Sequence, residues 1–254
     1  MNPWLRNLAE QAGEIAIEIR RGGKLNTRSK KDGSPVSAAD LAVDAYLREE
    51  IAARYPRDTL LTEESPDPDD RLAVTRVWII DPIDGTSGFV HGEAEFAVLI
   101  ARCEAGVSVE SIAHFPILNL TLYADHASCN LNGREAAVSQ RELADARIGG
   151  KGKIFAQHHA LPYPIKNPAL ELVRLASGEV DGLLIRTGDG TGEHDYAWAS
   201  CAVAAAGGKL TDIDGRELAY NKPVRSMPRI LVASNGLIHE ALLERARAVQ
   251  DATV

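Results

Sequence analysis

Cysteine is scarce and scattered: Cys103, Cys129 and Cys201 are an odd number with no Cys-x-x-Cys pair. That argues against a disulfide framework and a thiolate zinc site, and it suits a reducing compartment, so a cytoplasmic location is expected. Long apolar runs are missing as well. No stretch approaches the ~18 consecutive apolar residues of a membrane span. Met1-Asn2-Pro3-Trp4-Leu5-Arg6 lacks a basic region leading into an apolar core, so neither a membrane partner nor a signal peptide is expected. Positive charge is in short supply, with 28 Lys and Arg against 36 Asp and Glu and a formal net charge of -8. Such a chain is poorly suited to a nucleic acid polymer or an anionic membrane. There are no internal repeats and no low-complexity segments. What is present, 254 residues with 45% hydrophobic and 25% charged, suffices for one large domain with a sizeable core.

One stretch organises the chain: Trp78-Ile79-Ile80-Asp81-Pro82-Ile83-Asp84-Gly85-Thr86. The apolar run Val77 to Ile80 predicts a buried strand. Pro82 cannot donate to a ladder, so pairing is expected to stop there. Gly85 lets the backbone approach a bound group. A helix starting after it would leave the amides of Gly85 and Thr86 facing an anion. Carboxylates for a divalent cation beside amides for a phosphate are the equipment of metal-assisted phosphate chemistry. Bound cations would reverse the local sign, which reconciles an acidic chain with an anionic substrate. The plainer alternative is an acidic turn that binds nothing.

The apolar run followed by Asp-Pro-Ile-Asp-Gly-Thr resembles the signature of the inositol monophosphatase superfamily, which includes inositol monophosphatases, 3'(2'),5'-bisphosphate nucleotidases and more distant fructose-1,6-bisphosphatases. Other segments extend the resemblance from Glu14 to Asn235. Lys30-Lys31-Asp32-Gly33-Ser34-Pro35-Val36-Ser37-Ala38-Ala39-Asp40 is similar to the family's segment around an Asp that bonds the signature Thr. From the residues alone, Lys31-Asp32-Gly33 is a turn, and Ser37 with Asp40 forms a capping box. The resemblance adds a pairing of Asp40 with Thr86, which makes the hydroxyl a better acceptor of a proton from water. Glu63-Glu64 follows the short strand Thr59 to Thr62, and the resemblance implies that Glu63 ligates metal while Glu64 stays outside. The run Pro66 to Arg71 reads as a solvated acidic loop without metal.

Further elements follow from periodicity. Leu5, Leu8, Ala12, Ile15 and Ile19 predict an amphipathic helix ending near Gly22-Gly23. A second helix follows the Ser37 cap and runs through Leu41, Val43, Asp44, Leu47 and Ile51 towards Tyr55-Pro56. Phe96 to Ala101, Val107 to Ala113 and Leu118 to Tyr123 predict an antiparallel meander, and Asn132-Gly133 a hairpin turn. His91 is read as incidental. The adjacent His158 and His159 are read as surface or partly buried. Ala169 to Ser177 predicts a helix, Val180 to Ile185 and Ile230 to Ala233 strands, and Ile238 to Val249 a closing helix. Asp212-Ile213-Asp214-Gly215 is an ordinary turn, because the twelfth-position glutamate of a calcium loop is missing.

Asp195 opens a small-residue helix closed by Gly207-Gly208. It reads as an N-cap from the residues, and as a metal ligand from the resemblance. The family carries Trp before this Asp, where this chain has His194. Ser87-Gly88, Lys166-Asn167 and the Arg186 to Thr191 loop also depart from family patterns, and Arg186 is the counterpart expected for a nucleotidase arginine.

The resemblance implies an α/β (α+β) fold, a layered α/β/α/β/α sandwich, with approximate halves at 1–135 and 136–254. It implies catalytic roles for Asp40, Thr86 and Glu63. One cation would be held by Glu63, Asp81 and the Ile83 carbonyl, and another by Asp81, Asp84 and Asp195. Asp84, Gly85, Thr86 and Arg186 would contact the substrate. Two or three Mg²⁺ ions are expected, with Mn²⁺ as a substitute, and oxygen donors argue against zinc. The implied reaction is hydrolysis of a small phosphate monoester, inositol monophosphate first and 3'-phosphoadenosine 5'-phosphate second. A homodimer and lithium sensitivity are implied too. A metal-binding regulatory protein without turnover is the alternative of another class.

Overall fold

In the computed structural model, residue 24 and residues 30–34, 69, 152–162 and 252–254 are not described; every other residue is. The expected turn at Lys31 to Gly33, and His158 and His159, lie outside the described residues.

Helix α1 (Pro3–Arg21) is capped by Asn2, whose side chain accepts from the Trp4 and Leu5 amides, with Pro3 in its first turn. A two-stranded ribbon of β1 (Arg28–Ser29) and β2 (Pro35–Val36) leads into α2 (Ala38–Arg54). A seven-stranded sheet follows in chain order: β3 (Thr59–Thr62), β4 (Arg76–Asp84), β5 (Ala97–Glu104), β6 (Val107–Phe115), β7 (Leu120–Asp125), β8 (Ser128–Leu131) and β9 (Arg134–Glu135). β3 and β4 are parallel and every later pair is antiparallel, which is the expected meander extended by β4 before it and by β8 and β9 after it. Asn132 and Gly133 both take positive φ between β8 and β9, as a type I′ hairpin requires.

The second sheet has the order β11-β10-β12-β14-β13. Its strands are β10 (Ile148–Lys151), β11 (Tyr163–Pro164), β12 (Gly182–Arg186), β13 (Lys209–Asp212) and β14 (Ile230–Ser234). Three helices accompany it: α4 (Pro168–Ala176), α5 (Glu193–Ala205) and α6 (His239–Asp251), while the short α3 (Thr86–Val90) follows β4.

Strand alternation shows how the layers stack. Trp78 and Ile80 of β4 pack outward with Leu5, Leu8 and Ala12 of α1 and Val43 and Leu47 of α2. Val77 and Ile79 point inward, into a core shared with Leu172 and Val173 of α4, Trp198 and Ala202 of α5, and Leu183 and Leu231 of the second sheet. Leu184 and Val232 face the far side, against Leu242 and Ala246 of α6. The order is helices, sheet, helices, sheet, helix: the α/β/α/β/α sandwich. The small residues of α5 let it lie between two sheets, where a stripe of large side chains would not fit. Among the described residues no helix is long and apolar enough to cross a membrane. All three cysteines are buried and free.

Three expectations need correction. Pairing does not end at Pro82: β4 is paired with β5 through Asp81, skips, and resumes at Asp84. The acidic run after Ser65 is not simply solvated. Arg71 is 2% exposed, is gripped by Asp67, and donates to Asn221 Oδ1 and the Lys222 carbonyl at 3.0 and 2.8 Å. The residue capping α5 is Gly192, not Asp195, which sits at the third helical position.

Candidate active site

The site begins where the parallel pair β3–β4 ends. Thr62 lies opposite Ile80, and the Glu63 amide donates to the Ile80 carbonyl at 3.1 Å, so Glu63 emerges beside Asp81. The irregularity at Pro82 then decides which way the second carboxylate points. Asp81 pairs with Leu99 and Asp84 with Ala97, so three steps along β4 match two along β5. Without the extra residue, the side-chain period of two would send Asp84 to the opposite face. The bulge returns it to the face of Asp81 and turns Ile83 into the outer core with Trp78 and Ile80. Pro82, which has no N–H to offer, falls where no ladder bond is needed. The Asp81 carboxylate takes the Ile83 amide at 3.1 Å.

Gly85 has φ 82°, and a Cβ there would lie 3.3 Å from the Glu95 carbonyl, so this position is built for glycine. It caps α3, whose first residue is Thr86. The Thr86 hydroxyl lies 3.0 Å from both Asp40 Oδ1 and the Ile83 carbonyl. The other Asp40 oxygen accepts from the amide and the hydroxyl of Ser37 at 2.8 and 2.6 Å, closing the capping box of α2. Asp40 is fully buried, and burial raises its pKa against the lowering effect of the Ser37 and Thr86 hydrogen bonds.

Asp195 arrives from the other sheet's side, in the first turn of α5. Its carboxylate accepts from the Gly192 amide at 2.7 Å, its carbonyl accepts from Trp198 Nε1 at 3.0 Å, and Gly192 is pinned by a bridge to Ser226. Carboxylate oxygens of Asp81, Asp84 and Asp195 lie within 4.8 Å of one another; so do ligand atoms of Glu63, Asp81 and His194. All five residues line one cavity of about 320 Å³ with Ile83, Gly85, Thr86, Ser87, Gly190, Thr191 and Pro35.

Like charges this close oppose ionisation. Burial raises the Asp81 carboxyl far above its ordinary range, and Glu63, Asp84 and Asp195 add to it. Burial, then Asp195, lifts Asp84 to about 7, while Lys151 pulls the other way. Asp195 is also raised, by burial first, with His194 and the Gly192 amide offsetting part of it. A nest of oxygen donors that cannot all be charged alone fits a hard divalent cation, since a cation removes the repulsion that otherwise holds protons on these groups.

The structure therefore brings together Asp40, Glu63, Asp81, Ile83, Asp84, Gly85, Thr86 and Asp195. It does not bring Arg186 to them: that residue is exposed at the end of β12 and is not part of the cavity lining. Asn167 is likewise not in the lining. It caps α4, accepting from the Leu170 amide at 3.0 Å, and donates to the Glu95 carbonyl that backs Gly85. His91 is exposed, with Nδ1 2.7 Å from the Ser87 carbonyl. Sequence reasoning missed His194, Lys151 and Thr191. His194 carried a signal, the replacement of the family's Trp beside Asp195; Lys151 carried none, because its position depends on how the second sheet meets the first.

The sequence profile of the inositol monophosphatase family matches residues 3–251. A histidinol-phosphatase of Chlorobaculum parvum is 32% identical over 69% of this chain and 66% of its own length, just under two thirds. The 3'(2'),5'-bisphosphate nucleotidase CysQ of Aggregatibacter actinomycetemcomitans is 29% identical over 85% of each chain. Among solved structures, an IMPase of Thermotoga maritima superposes with a TM-score of 0.81 at 26% identity, covering 97% of this chain and 96% of that one.

Proposed function

The chain belongs to the inositol monophosphatase family, whose members hydrolyse phosphate esters, and from there we propose that it is a Mg²⁺-dependent phosphomonoesterase whose first substrate is inositol monophosphate. The observation that carries this is the meeting of Glu63, Asp81, Asp84 and Asp195 in one cavity with the Asp40–Thr86 hydrogen bond at its wall.

Glu63, Asp81 and the Ile83 carbonyl would hold one cation, and Asp81, Asp84 and Asp195 another. Bound Mg²⁺ would supply charge neutralisation at the phosphate and a more acidic attacking water. The rest falls to the chain. The backbone at Gly85 and Thr86 seats the phosphate beside the start of α3, where no side chain at residue 85 obstructs it. Asp40, with one oxygen saturated by Ser37, keeps the other on Thr86 Oγ1. Thr86 then gives its proton to Asp40 and presents a lone pair to the water, so the water's proton ends on Thr86 Oγ1 as the water attacks phosphorus in line; the ester P–O bond opposite the water breaks, and the departing alkoxide takes a proton from solvent. The raised pKa of Asp40 suits it to take that proton.

A second reading, a 3'(2'),5'-bisphosphate nucleotidase, is supported by the similarity to CysQ along most of the chain. Arg186 was its expected anchor, and the cavity lining lends that role no support. Comparison of kcat/KM for inositol 1-phosphate and 3'-phosphoadenosine 5'-phosphate under saturating Mg²⁺ decides between the two. A higher value for the inositol ester supports the first reading, and a higher value for the nucleotide overturns it. A homodimer, a cytoplasmic location and inhibition by Li⁺ belong to the same proposal.

A further inference from the structure

The cation ligands expected from sequence are all oxygen donors, and the structure adds a nitrogen. His194 is the second residue of α5, directly before Asp195. One of its ring nitrogens lies within 4.8 Å of carboxylate oxygens of both Glu63 and Asp81. The ring is held there by the absence of a neighbour. A Cβ at Gly192 would come within 2.5 Å of His194 Cε1 and 2.7 Å of Nδ1, so the imidazole occupies space that any other residue at 192 would fill. Nε2 also lies 3.3 Å from Asp195 Oδ2, and the side chain is only 13% exposed. Asp81, in the same group, is 2% exposed.

We propose that His194 is a nitrogen ligand of this cation centre, forming with Glu63 and Asp81 a mixed nitrogen–oxygen position beside the all-oxygen position of Asp81, Asp84 and Asp195. The inference rests on the metal-dependent reading above and adds selectivity to it. Mg²⁺ takes oxygen donors, whereas imidazole favours later divalent ions, so the mixed position should hold Mn²⁺ and its successors better than a purely carboxylate position would. The competing role for His194 is that of an ion-pair partner of Asp195. In that case loss of the ring would remove a positive charge from the centre and change Mg²⁺ and Mn²⁺ binding together, without selectivity.

The test is pulsed electron paramagnetic resonance of the Mn²⁺-loaded protein, with Mn²⁺ and Mg²⁺ affinities measured by titration on the same samples. The wild type is expected to show ¹⁴N coupling to bound Mn²⁺. His194→Gln is expected to lose that coupling and to weaken Mn²⁺ about tenfold or more, as even loss of an outer partner of a metal ligand does, with a smaller change for Mg²⁺. His194→Asp, which restores an oxygen donor, is expected to lose the nitrogen signal while moving preference toward Mg²⁺. Absence of ¹⁴N coupling in the wild type overturns the inference without any variant having to fold. Persistence of the coupling in both variants, or equal losses for the two ions, overturns it as well. Failure to bind Mn²⁺ at all would overturn the metal-dependent reading along with it, whereas Mn²⁺ bound without nitrogen coupling leaves that reading standing.

Discussion

Thr86 Oγ1 lies 3.0 Å from Asp40 Oδ1 across 46 residues of chain, and the same carboxylate closes the N-terminus of α2 through Ser37. One buried acid thus performs a structural and a chemical task. Thr86→Ala removes the hydroxyl but leaves the capping box, so kcat should fall by about 10² to 10⁴ while Tm changes little. Asp40→Asn should lower kcat comparably and also cost roughly 1 kcal/mol of stability from the altered cap. Steady-state kinetics and thermal unfolding of the two variants separate the tasks; equal stability losses would mean that the cap is not the difference between them.

Asp84 shares the face of Asp81 because of the bulge at Pro82. Asp84→Asn removes one of the mutually repelling charges, so the metal-free protein should be as stable as the wild type or more so. The same change should abolish most of the stabilisation by Mg²⁺ and most of the activity. Thermal scans with EDTA and with Mg²⁺ test this. A variant that keeps the full Mg²⁺-dependent rise in Tm would show that Asp84 is not a ligand.

The pH dependence has a definite sign. Asp84 titrates near 7 in the folded chain, and Asp81 and Asp195 are raised too, whereas unfolded Asp titrates near 4. Between those values the folded state binds more protons than the unfolded one, so stability of the metal-free protein should fall as pH rises from about 4 to 7. Below that window both states are protonated and the penalty is absent. Mg²⁺ needs the ionised groups, so the gain in Tm on adding it should be small at pH 5 and largest above pH 7. A gain independent of pH would contradict the cluster as the binding site.

Gly85→Ala introduces a side chain at φ 82° and 3.3 Å from the Glu95 carbonyl. The left-handed backbone alone should cost about 1–2 kcal/mol, read as a Tm lower by roughly 2–8 °C for a chain of this size. Because Thr86 follows directly, kcat should fall as well. An alanine variant with unchanged Tm and kcat would mean that this backbone is less constrained than its geometry indicates.

Much of this architecture was readable from local signals. Asp-Pro-Ile-Asp-Gly-Thr behind an apolar run carries strand and helix start within nine residues, although the strand runs on past Pro82 to Asp84. The alternation of Val77, Trp78, Ile79 and Ile80 already implies a strand buried on both faces. What stayed hidden depends on partners distant in sequence. The bulge that aligns Asp81 with Asp84 is a mismatch with β5, not a property of β4 alone. Arg71 looked solvated because its partners Asn221 and Lys222 lie 150 and 151 residues away. His194 became visible as a potential ligand only when α5 met the end of β3, and Arg186, expected from its position in the chain, lies exposed at the end of β12 outside the cavity lining.

The most direct test of the central claim is release of inorganic phosphate from inositol 1-phosphate by the wild-type chain, assayed with Mg²⁺, then with EDTA, then with Mg²⁺ restored. The account predicts turnover with Mg²⁺, none with EDTA, and recovery on readdition. Turnover unaffected by EDTA, or no release from inositol 1-phosphate, 3'-phosphoadenosine 5'-phosphate, fructose 1,6-bisphosphate or histidinol phosphate, would contradict a carboxylate-held cation centre that hydrolyses small phosphate monoesters.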